Sequence, residues 1–136
     1  MELKREGVRA RVDPEAGGRL ASLRIDGREL LLNSGEDAMA WGAYPMVPWA
    51  GRVRDGVFTW DGERYSLPLG LPPHAIHGTV YTAPWAVLGE GELAADLGDA
   101  WPWKGRVESC FELAEDSLTW HMRVHARMLQ SFTLAR

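Results

Sequence analysis

The sequence predicts an all-β protein, an antiparallel β-sandwich or barrel, and three observations carry that prediction. Short extended runs are joined by Asp26-Gly27 and Asp61-Gly62, dipeptides whose two residues accept the positive φ of a type I′ turn. The last pair of runs alternates polar and apolar residues with a period of two rather than 3.6. Eight prolines and fifteen glycines are scattered between the runs, and no window supports an amphipathic helix.

Taken in order, Asp26-Gly27 separates Leu20–Ile25 from Arg28–Leu32. Glu36–Trp41 has room for one helical turn at most. Asp61-Gly62 separates Val57–Trp60 from Glu63–Leu67, and Gly89-Glu90-Gly91 and Glu115-Asp116 punctuate two later pairs. In the last pair Val107, Ser109, Phe111 and Leu113 share one face, while Arg106, Glu108, Cys110 and Glu112 share the other. Across the turn, Leu118, Trp120, Met122 and Val124 alternate with Thr119, His121, Arg123 and His125. Each strand is expected to bury its apolar face and wet the opposite one. No linker, low-complexity run or repeat divides residues 1–136, which read as one domain or part of one.

The chain has 136 residues, 46% apolar and 25% charged, which is ample for one domain with a real core. A net charge of -4 supplies no basic field for a phosphate backbone, so no nucleic-acid partner is expected. Met1–Glu6 is charged with no apolar run behind it, which does not read as a signal peptide. No stretch has the apolar length that crossing a bilayer requires, so no membrane partner is expected. Cys110 is the sole cysteine and forms no internal disulfide, which fits a reducing cytoplasm. Nothing in its surroundings activates it, and it reads as a structural thiol. Seven tryptophans are many for this length; core packing should absorb most of them, although the ring also stacks on sugars.

Two Gly/Pro-rich segments concentrate polar side chains, Tyr44–Val53 and Pro72–Thr79. Within them, Pro48-Trp49-Ala50-Gly51-Arg52-Val53 with Gly56, Phe58, Gly62, Tyr65 and Leu67-Pro68 resembles the P-[YW]-x-N-R-I … G-x-F … G-x-x-Y-x-L segment of aldose 1-epimerases. His74-Ala75-Ile76-His77-Gly78 stands where that family carries N-x-L-H-G, and Trp85 falls on its following tryptophan. Gly17-Gly18-Arg19-Leu20 resembles the family's opening G-G-x-[IL], and the likeness runs to about Val124. The order and spacing of these motifs make the resemblance specific.

The resemblance implies an antiparallel β-sandwich of galactose-mutarotase type, incomplete here, that interconverts α and β anomers of free hexoses without a cofactor. On matching positions it implies that Arg52 binds sugar hydroxyls and that His77 sits at the anomeric end. The chemistry of the residues agrees. A guanidinium keeps several fixed donors at any working pH, and an imidazole near neutrality can donate or accept. Without the resemblance, Arg52 could equally pair with Asp55, and His77 could be a satisfied turn histidine. Gly51 and His74 stand where the family has asparagines, so an amide is lost at each; His74 is a candidate sugar-binding donor in its place. No metal is expected, because His74-x-x-His77 supplies two ligands and neither Cys110 nor His121 and His125 has the spacing to complete a set.

Ring opening needs a base for the anomeric hydroxyl and an acid for the ring oxygen. The family's acid lies in a His-Pro motif and its base is a glutamate near the C-terminus. This sequence has no His-Pro and stops before the glutamate's region, and His121 and His125 read as solvated strand residues. Residues 127–136 do not resemble the family's continuation. The expectation is therefore a truncated, epimerase-like chain, with a non-catalytic carbohydrate-binding domain or relic as the alternative. A partial sandwich leaves an open sheet edge and an uncovered face, so a homo-oligomer that covers the edge is expected.

Overall fold

Tight turns between short antiparallel strands organise residues 1–126, which the computed structural model describes. β1 (Glu2–Arg5), β2 (Val8–Asp13), β3 (Arg19–Ile25) and β4 (Arg28–Glu29) form one sheet in sequential order. Two short ribbons follow. β5 (Arg52–Val53) pairs with β8 (Ala75–Ile76), and between them β6 (Val57–Trp60) and β7 (Glu63–Ser66) form a hairpin. A second four-stranded meander, β9 (Ala86–Gly89), β10 (Glu92–Asp96), β11 (Gly105–Leu113) and β12 (Leu118–Ala126), completes the description. Both Asp-Gly turns lie where they were expected, with φ of 49° and 78° at residues 26 and 27 and of 50° and 79° at residues 61 and 62. Residues 36–41 form only bends and turns. No helix among the described residues is long and apolar enough to cross a membrane. Residues 127–136, expected from the sequence to be atypical, lie outside the described residues.

β4 is shorter than the sequence predicts, ending at Glu29 rather than Leu32. There the Glu29 carboxylate takes the place of a backbone acceptor, accepting the main-chain N–H groups of Leu23 on β3 at 3.0 Å and of Leu31 at 3.3 Å. Burial pushes this carboxyl up, but hydrogen bonds from the Ser22 hydroxyl, Leu23, Leu31 and the Arg24 guanidinium outweigh it and hold its pKa down at about 2.

The two meanders face each other across one apolar core. Leu3, Ala10, Val12 and Leu20 come from the first sheet, and Leu93, Ala95, Leu97, Val107 and Phe111 from the second and its margin. Val47, Val80 and Trp85 fill in from the connecting segments. Each of the buried leucines, valines and Phe111 contributes about 1.5–3 kcal/mol by leaving water, and each alanine methyl less than about 1. β11 buries Val107, Ser109 and Phe111 as its alternation predicts. On β12 the alternation holds but the burial does not. Trp120 stacks on Phe111 and donates its Nε1–H to Ser109 Oγ at 3.1 Å, whereas Met122 and Val124 are 44% and 48% exposed. Among the described residues β12 is an edge strand of its sheet, paired only with β11.

Arg19 is the largest fully buried side chain. Its guanidinium donates to the carbonyls of Ala16 at 2.6 Å, Trp41 at 2.9 Å and Tyr81 at 3.3 Å. It lies over the Trp41 ring at 4.1 Å. Burial lowers its pKa, but an arginine remains charged. The glycines before it make this approach possible. A Cβ on Gly17 would lie 1.8 Å from Tyr81 O, and one on Gly18 would lie 2.6 Å from the Trp85 ring. Both also have positive φ, 82° and 62°.

Two outcomes test this account. Arg19→Lys retains the charge but not the fork of donors, and is expected to lower unfolding stability by about 3 kcal/mol in urea titrations. Glu29 has a folded pKa below its ordinary 4.5, so its contribution is fully present above that value and is lost as the pH falls from there through about 2. Glu29→Gln should remove roughly 2 kcal/mol at neutral pH and flatten the acid limb of stability against pH; an unchanged acid limb contradicts the assignment.

Candidate functional site

The β5–β8 ribbon pairs Arg52 with Ile76 and Val53 with Ala75. Ala75 and Ile76 are buried and anchor the ribbon to the core, which leaves Arg52 exposed beside it. At the end of the ribbon His77 has a φ of +57°, a conformation that costs a non-glycine residue roughly 1 kcal/mol. Two bonds hold it there. The His77 N–H donates to Gly51 O at 3.1 Å, and the Gly51 N–H donates to His77 Nδ1 at 3.2 Å. Gly78 follows with φ +81° and lies so close to Val47 that a Cβ would stand 1.9 Å from its carbonyl oxygen. The Gly-after-His pattern in the sequence thus has a steric cause.

The His77 imidazole lies between two tyrosines. Tyr44 meets it edge-on at 5.9 Å and Tyr81 at 6.2 Å, and the two phenol rings are 5.7 Å apart. Burial, reinforced by the positive charge of Arg52, lowers the pKa of His77. The ring is therefore neutral at pH 7. Burial raises the Tyr81 phenol, with Tyr44 and Asp37 adding to the shift. The Arg19 guanidinium reaches this wall directly, through Tyr81 O at 3.3 Å and over the Tyr44 ring at 5.4 Å.

Arg52 and His77 come together as expected, and His74 occupies the other end of the ribbon. There its Nδ1 accepts the Asp55 N–H at 3.2 Å, with the Asp55 carboxylate 4.0 Å away. Asp55 therefore lies against His74, not against Arg52. Sequence reasoning missed Tyr81 altogether, and it quoted Tyr44 without a role. Neither follows a pattern that names a site, because each reaches His77 only through the folding of separate segments.

The other candidates lie elsewhere. His121 faces Glu112 at 3.7 Å and His125 faces Glu108 at 3.1 Å, both exposed on β12. The Cys110 thiol is pushed up by burial and by Glu112 and Glu92, which keeps it protonated. Among the described residues no three His, Cys, Asp or Glu side chains form a metal-binding group. Most of the tryptophans pack. Trp49 stacks on Trp101, which stacks on Phe58, and Tyr65 and Trp103 complete a five-ring cluster. Trp85 is buried, with Nε1 donating to Val80 O at 3.1 Å.

The family model described as aldose 1-epimerase matches residues 1–135. Among solved structures, the chain is similar to a galactose 1-epimerase from Lactobacillus acidophilus NCFM, with a TM-score of 0.71 at 20% identity, covering 92% of this chain and 43% of that one. A galactose mutarotase-like protein from Lactobacillus casei ATCC 334 gives 0.72 at 15% identity, covering 91% and 43%. A GalM/aldose epimerase homologue from C. elegans gives 0.61 at 18%, covering 82% and 40%. At these identities the likeness shows a shared fold, and the chain spans less than half the length of each. No curated protein matches the sequence.

The environment of His77 makes a direct prediction. Its ring protons, followed by NMR against pH, should titrate below the ordinary histidine value of 6.5. The unfolded chain then binds the proton more readily, so stability falls as the pH drops from 6.5 through the folded value. A midpoint at or above 6.5 contradicts the burial described.

Proposed function

Because the chain belongs to the aldose 1-epimerase family, we propose that Arg52 and His77 bind a free hexose and that the chain acts in interconverting its α and β anomers. The observation that supports this most is the pairing of an exposed guanidinium with a neutral, half-buried imidazole at one end of one ribbon. The guanidinium offers a fork of donors to vicinal hydroxyls, and His77 offers Nε2 to an oxygen near the anomeric carbon. Tyr44 and Tyr81 hold the imidazole in place. His74 is a further contact, through the ring nitrogen that Asp55 does not engage.

Anomer interconversion breaks and re-forms one C–O bond with balancing proton transfers, and needs no oxidant or reductant. A base takes the anomeric hydroxyl proton, the C1–O5 bond opens to the aldehyde as an acid protonates the ring oxygen, and reclosure on either face yields either anomer. Each positioned group is worth ~10² to 10⁴-fold. Arg52 and His77 bind and polarise the sugar in this reading, and the proton-accepting base is a group other than these two.

One observation favours a second reading, a non-catalytic hexose-binding domain. His77 Nδ1 is already engaged by the Gly51 N–H, so the ring does not relay a proton through both nitrogens.

Calorimetric titration with D-galactose and D-glucose should show saturable binding that Arg52→Ala weakens about tenfold, by roughly 1.4 kcal/mol. Polarimetry on freshly dissolved α-D-galactose should then show equilibration faster than in buffer. Binding with a buffer-like rate selects the second reading, and no binding of either sugar removes both.

A further inference from the structure

We infer that the main-chain amide of Gly51 is a positioning group that holds His77 as its Nε2-protonated neutral form, so that this imidazole meets a ligand only as a hydrogen-bond donor. That the ligand is a sugar rests on the reading above; the tautomer does not.

The argument starts from a peptide N–H, which donates and cannot accept. At 3.2 Å from His77 Nδ1 it needs a lone pair there, and a neutral imidazole has one lone-pair nitrogen and one N–H. The proton therefore resides on Nε2. The clamp has two points, because the His77 N–H returns to Gly51 O at 3.1 Å. Both residues are left-handed, at φ +73° and +57°, which turns the Gly51 N–H toward the ring. The edge contacts of Tyr44 and Tyr81 oppose a flip of the imidazole that would exchange its nitrogens.

The charged and titratable groups packed around the ring do not favour any other state. Arg52 is a cation, and burial raises the Tyr81 phenol, which keeps it protonated. Protonating His77 would place a second donor on Nδ1 against the Gly51 N–H and break the clamp. Arg52 is also donor-only. The ligand must therefore present acceptor oxygens to both side chains, either hydroxyl lone pairs or the ring oxygen, and His77 Nε2 takes no proton from it.

Long-range ¹H–¹⁵N correlation of the imidazoles in the uniformly labelled 136-residue protein tests this without any ligand. Above the His77 titration, Nδ1 should show a pyridine-type and Nε2 a pyrrole-type shift; averaged shifts, or a protonated Nδ1, overturn the inference. On acidification the Gly51 amide proton should move in step with the His77 ring, and a Gly51 amide indifferent to that titration also overturns it. Where hexose binding is measured, His77→Gln keeps a donor at the Nε2 position and should weaken binding less than His77→Asn does. His77→Asn keeps an acceptor for the Gly51 N–H but its amide donor falls short of the Nε2 position, and it should lose about tenfold. The opposite order, in variants whose amide spectra remain folded, overturns the donor role. Absence of hexose binding would reject the function proposed above, and the imidazole shifts would still decide the tautomer.

Discussion

A guanidinium sealed from water and matched by carbonyls rather than by a carboxylate sets the geometry of this protein. Arg19 reaches its neighbour Ala16 and the remote Trp41 and Tyr81, and carbonyl dipoles fix direction as well as distance. The cation is tolerable in the interior because its donors are met and the Trp41 face lies beneath it. Removing the side chain would strand carbonyls in an apolar setting, where an unmet polar group costs about 1–3 kcal/mol. The turn between β2 and β3 is thereby pinned to the segment after His77. Gly17 and Gly18 are glycines because that segment passes too close for a side chain.

The same contact reaches the candidate site. Tyr81 supplies a carbonyl to Arg19 and a ring edge to His77, and Tyr44 lies under both the guanidinium and the imidazole. A structural cation thus stands one residue behind His77, and a second cation, Arg52, stands beside it. Burial, reinforced by Arg52, keeps the histidine neutral. Its polarity is then decided not by a carboxylate, as is common for functional histidines, but by one peptide N–H.

The β-sandwich is uneven. Near Phe111 and Trp120 both sheets contribute to a closed core, while toward the end of β12 the apolar alternation continues into solvent at Met122 and Val124. Period-two patterning records which way a side chain points. It does not record whether another layer lies opposite.

Much of the architecture was legible in the sequence. The Asp-Gly turns, the β6–β7 hairpin and the faces of β11 follow from signals within a few residues, since turn φ values and strand periodicity are local properties. Arg52 and His77 were legible through motif resemblance, because the spacing of the two loops survives in the chain. What the tertiary structure alone decided depends on residues that meet across long separations. Tyr81 joins Arg19 over 62 positions, and Gly51 joins His77 over 26. Asp55 turns to His74 instead of Arg52, and β4 ends where the Glu29 carboxylate takes the backbone donors of Leu23 and Leu31. Local sequence sets the conformation each residue prefers. Which nitrogen of His77 carries the proton is set by what folding brings against it.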